Sequence, residues 1–186
     1  MRTFIAASAL VLGLASPALA QQATATATSP AIAITGAVSG ICSVGPSLDG
    51  GNVFQMNTII DTTTGFLLPS LATESKTLGA SFCNGASTIT VAASPMTAQS
   101  FVGPAPEGFS NAVNYTASAS GWTTNPAVFN TGLPANPGAS QSQDSHRTAD
   151  IVVQLAGFST VGGDELRIIA DPVYQGSITV TLTAAN

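Results

Sequence analysis

The chain has 186 residues, 45% of them hydrophobic and only 7% charged, and nine carboxylates against four cations leave a net charge of −5. So few cations cannot supply the roughly six to ten phosphate contacts of a typical duplex-binding protein, which excludes nucleic acid as a partner. One histidine and two cysteines cannot build a cage of four cysteines, of two cysteines with two histidines, or of three histidines, so neither a metal nor any other cofactor is expected.

In chain order, Arg2, an apolar run from Phe4 to Leu14 and the small-residue stretch Ser16-Pro17-Ala18-Leu19-Ala20 form the three parts of a secretory signal peptide over residues 1–20, cut ahead of Gln21. Its removal takes Arg2 away and leaves Lys76, Arg147 and Arg167 against nine acids, a net −6. The protein is therefore expected to be exported, to the periplasm and then to the cell surface or the medium. Residues 21–30 (QQATATATSP) are small, polar and low in complexity, the composition of a flexible tail. Residues 31–186 are long enough for a single domain, and nothing in them approaches the roughly 18 consecutive apolar residues of a membrane helix.

From Ala31 the pattern alternates strictly, with Ile32, Ile34, Gly36 and Val38 on one side and Ala33, Thr35, Ala37 and Ser39 on the other, which is the period of a strand. Further strand-like runs are 52–60, 76–82, 87–93, 112–119, 150–156, 166–170 and 173–183, each bounded by Gly, Pro, Asn or Asp. The best claim to a helix, 67–78, is interrupted by Pro69, Ser70, Thr73 and Thr77. Short strands separated by turns, without an amphipathic helix, predict an antiparallel β-sandwich. The proline-rich stretches 94–110 and 121–145 are expected to be long surface loops.

An exported protein folds where thiols are oxidised, so Cys42 and Cys83 are expected to form a disulfide. Closing a loop of that length is worth about 4 kcal/mol in the chain-entropy treatment. Candidate chemistry is sparse. His146 lies in QSQDSHRTAD beside Asp144, Ser145 and Asp150, but triad members normally converge from separate segments and no G-x-S-x-G elbow is present. Asp164 and Glu165 after Gly162-Gly163 lack the D-x-D-x-D-G spacing of a calcium loop and fit a charged turn. Trp122 fits a plug at the end of the core better than an exposed stacking platform. No catalytic residue is assigned, and the chain is not expected to be an enzyme.

Three patches in order form a larger pattern: ITGAVSGICSV shortly after the signal peptide, KTLGASFC about forty residues later and followed by the strand STITVAA, and the terminal Tyr-x-Gly strand VYQGSITVTLTAAN. Together they resemble the pilin subunits of chaperone-usher fimbriae, closest to the spore coat protein U-like branch of archaic pili. The resemblance implies an immunoglobulin-like antiparallel β-sandwich that is incomplete and is completed by a donor strand from the next subunit. It implies a structural role in a surface fimbria or coat, with a periplasmic chaperone, an outer-membrane usher and further copies or related pilins as partners. Ile32, Ile34, Gly36 and Val38 would be the donated residues. Tyr174, Gly176, Ile178, Val180 and Leu182 would form the groove and chaperone edge. Because the segment ahead of Ile32 carries only small residues where many fimbrial pilins carry bulky ones, two assignments stay open: Ile32 to Val38 is the donor, or it is the domain's own first strand. The alternative function is a monomeric secreted β-sandwich that binds a ligand such as a carbohydrate.

Overall fold

The computed structural model of the chain describes residues 28–71 and 75–185. The expected signal peptide and most of the expected tail lie outside the described residues. The chain divides into two compact units, Met1–Ala37 and Val38–Asn186. In the first, residues 28–37 belong to no strand or helix, and Ile32 and Ile34 are 86% and 97% exposed.

The second unit is all-β. Its strands are β1 (Cys42–Ser43), β2 (Ser75–Cys83), β3 (Ser87–Ala98), β4 (Phe109–Ser110), β5 (Ala112–Ser120), β6 (Ala127–Asn130), β7 (Ser140–Gln143), β8 (Arg147–Thr160), β9 (Arg167–Ile168) and β10 (Tyr174–Ala184), with a single 3-10 turn at Pro137–Ala139. The main sheet runs β1-β2-β8-β5-β3-β10, with β6 added to β5 and β7 to β3, and its pairings are all antiparallel. β3 and β5 share only Met96↔Val113 and Thr97↔Ala112. The sheet is nearly closed on itself in a sandwich-like arrangement.

The alternation that predicts strands also supplies the core. Ile89 and Val91 on β3, Val113, Tyr115, Ala117 and Ala119 on β5, and Ile151, Val153 and Leu155 on β8 share one buried cluster. Trp122 is fully buried and its indole donates to the Ser87 hydroxyl at 3.3 Å, the role of core plug. The turn that delivers it needs Gly121: its φ is +92°, and a Cβ there would lie 2.5 Å from the Asp150 carbonyl. Cys42 and Cys83 sit directly opposite each other on β1 and β2 and are bonded.

Four expectations need correcting. The alternating stretch 31–39, expected to be strand-like, lies in no strand. The strand expected to end at Ala93, before Pro95, continues to Ala98. Its ladder with β10 shifts register between Gln175 and Ser177, opposite Pro95, and a bulge is where a residue without an N–H can sit inside a sheet. The stretch 121–145 is not one loop, since it contributes β6, the 3-10 turn and β7. Asn136 organises it, with its Oδ1 accepting from the Asn130 amide at 2.6 Å and its Nδ2 donating back to the Asn130 carbonyl at 3.1 Å. Finally, 52–60 alternates like a strand, with Phe54 and Met56 half-buried between exposed neighbours, yet joins no strand; only Ile60 bridges, to Leu67.

Candidate functional site

Among the described residues β10 is hydrogen-bonded to β3 on one side only and ends the sheet. An open edge is normally blunted by charge, proline or a covering loop, because its free amides and carbonyls template another strand. Here YQGSITVTLTA has no charged residue and no proline, and the chain passes close beside it only near its end, where a Cβ on Gly40 would meet that of Ala184 at 3.1 Å. Beside its first half lies a groove of about 1100 Å³ whose far wall is residues 52–60. Met96, Tyr115, Leu155 and Ile168 belong to the buried core cluster and also line this groove, so its floor is the outer layer of the core. Tyr174, Gly176 and Ile178 line it from β10.

The two tyrosine hydroxyls of the groove are already bonded. Tyr115, 2% exposed, donates its hydroxyl to the Ser177 carbonyl at 3.0 Å, and Tyr174 donates to the Ile169 carbonyl at 2.9 Å. Burial pushes the Tyr115 phenol up to about 12. Burial, and secondarily the negative charge of Asp171, also raises that of Tyr174. Asp171 is the one carboxylate in the lining. Partial desolvation pushes its carboxyl upward, but amides of Val173 and Ser100, at 2.9 and 2.8 Å, outweigh this and hold it below the ordinary value. It is therefore a turn-forming charge at the groove's end. The groove offers apolar surface and strand edge, with no nucleophile beside a base.

The other expected residues are scattered with respect to this site. Val180 and Leu182 lie on the same face of β10 as Ile178, half-buried against the core but beyond the groove. Gly176 is glycine for a local reason: a Cβ would meet the Ser94 carbonyl oxygen at 2.8 Å, across the bulge. Val38 is 89% exposed, and a Cβ on Gly36 would meet nothing within 4 Å. His146 is exposed between β7 and β8. Asp150 is engaged elsewhere, accepting from the Ala80 amide at 2.8 Å, and Asp164 accepts from the Thr160 amide at 3.0 Å. Among the described residues no three His, Cys, Asp or Glu side chains gather where they could hold a metal ion, and no helix is long and apolar enough to cross a membrane.

The sequence reading missed Phe54 and Met56 as a groove wall and Met96, Tyr115, Leu155 and Ile168 as its floor. The signal for the wall was present in the alternation of 52–60. The floor residues come from four separate places in the chain, and only folding brings them together. Comparison with models of known protein families, with curated proteins and with solved structures finds no match for this chain.

Proposed function

We propose that the protein is an exported structural subunit of a surface fimbria or coat, assembled when residues Ile32 to Val38 of one copy add as a strand along β10 of the next. The observation that carries this reading is the largely apolar groove beside a strand edge that, among the described residues, is hydrogen-bonded on one side only. Strand addition answers both needs at once: main-chain bonds satisfy the edge, while alternate side chains enter the groove. Ile32 to Val38 supplies that alternation, and its chain can cover about 23 Å at roughly 3.3 Å per residue. Ile32, Ile34 and Val38, all largely exposed, would each contribute about 1.5 to 3 kcal/mol on burial. The same groove would need cover before assembly, the task of a periplasmic chaperone acting with an outer-membrane usher.

The test is the size distribution of the exported protein, by size-exclusion chromatography and electron microscopy, beside a deletion of residues 21–38. Rods or ladders from the full chain, lost on deletion, are the expected result. A full chain that stays monomeric at every concentration, with a deletion variant equally stable, would overturn strand exchange in favour of a monomeric ligand-binding module.

A further inference from the structure

The disulfide closes a loop that contains an entire wall of the groove. Residues 52–60 lie between Cys42 and Cys83. So do the contacts that hold this wall from above: the Gly79 amide donates to the Pro46 carbonyl at 2.9 Å, and the Leu48 amide to the Thr77 carbonyl at 2.8 Å. From below, the turn after Ile60 is fixed to β9, where the Ile168 amide donates to the Gly65 carbonyl at 3.0 Å and Arg167 Nε donates to the Thr64 carbonyl at 3.0 Å.

The chain enters this unit just ahead of the loop, and that entry is tied down. Asn84 accepts from the Ile41 amide through Oδ1 at 2.7 Å, donates from Nδ2 to the Ser39 carbonyl at 3.0 Å, and donates its own amide to the Ile41 carbonyl at 3.1 Å. One residue further on is the Cys42–Cys83 bond. Tension on the segment ahead of Val38 therefore reaches Asn84 and the disulfide first and passes into the end of β2. Without the bond, the next covalent path runs through residues 43–51 directly into the groove wall.

We infer that the Cys42–Cys83 disulfide is a force shunt: it carries load from the outgoing N-terminal segment into β2 and keeps that load off the wall that holds the incoming strand. This rests on the proposed strand exchange, in which each subunit is pulled at both places. It assigns the bond a role separate from general stability, since what matters is where the load enters.

The test loads the joint itself. A synthetic peptide of residues 28–38 is bound in the groove and held by its C-terminal end, and the full chain is held by a handle ahead of Thr28; the lifetime at constant force is measured before and after reduction with a phosphine. Reduction should shorten the lifetime at least about tenfold. With the handle on exposed Ser142 of β7, outside the loop, reduction should leave it within about twofold. Equal shortening from both handles, or no shortening from either, overturns the inference. Should reduction unfold the domain, the oxidised chain decides: a click handle at exposed Asn57, on the wall, should give a shorter lifetime than the handle ahead of Thr28, and equal lifetimes overturn the shunt while leaving strand exchange intact. A peptide that does not bind at zero force removes the strand-exchange reading and the inference with it.

Discussion

β5 and β10 both alternate in burial, but they end in opposite situations. β5 has β8 along one edge, and along the other β6 at residues 116–119 and the corner of β3 at 112–113. β10 is longer and, among the described residues, is paired on one edge only. Hydropathy patterning is thus the same in a strand whose backbone is fully used and in one with backbone to spare, because alternation records which side chains face the core and says nothing of in-plane partners. What distinguishes the two is the company each keeps: β5 contributes Tyr115 to the core, and that same Tyr115 forms the floor of the groove beside β10.

The largest expected effect breaks the comparison at the open edge. Ile34→Asp should abolish assembly, because an unpaired carboxylate would enter an apolar groove. The folded domain should keep its denaturation midpoint, since Ile34 is 97% exposed. A variant that still forms rods in electron micrographs, or one whose monomer is destabilised, would contradict donation of this strand. At the closed end, Trp122→Ala should cost about 3 to 5 kcal/mol by the removal of a large buried ring. It would also take the indole donor from the buried Ser87 hydroxyl. Urea unfolding measures this, and a loss below about 1 kcal/mol would place Trp122 outside the cooperative core.

Joint replacement of Cys42 and Cys83 by serine should lower stability by about 2 to 5 kcal/mol, also read by denaturant titration. An unchanged midpoint would deny the bond its stabilising share.

Alkaline titration sharpens the comparison at the residue shared by core and groove. The Tyr115 phenol is raised to about 12 from 10.0, so the folded state holds its proton where the unfolded chain loses it. The stability this provides is complete below pH 10 and falls as pH rises towards 12, by roughly 2 to 3 kcal/mol. Tyr115→Phe should flatten that fall, and an unaltered pH profile in the variant would remove Tyr115 as its source. The smallest effect is at the lower anchor of the groove wall, where Asp61 Oδ1 accepts from the Thr63 and Thr64 amides at 2.7 and 3.2 Å. Asp61→Ala should cost about 1 kcal/mol in thermal unfolding, and no change would show the turn to be held by its neighbours alone.

Composition and period by themselves determined the all-β class, and alternation located most of β2, β5 and β10. A single possible partner determined the Cys42–Cys83 pairing, because pairing two cysteines leaves no combinatorial choice. The indole of Trp122 went to the core for the reason its size suggests. Tertiary structure decided the rest. Pro95 looked like a strand breaker until a register shift opposite Gly176 gave it a place without a hydrogen bond. Polar, irregular 121–145 gained β6 and β7 from edges offered by β5 and β3, and a pairing partner far away in sequence leaves no local mark. The groove is the clearest case. Its wall was visible as an alternating run, but its openness is the absence, among the described residues, of a neighbour between 52–60 and β10, and the presence or absence of a neighbour is a property of how strands are arranged in space, which no window of sequence contains.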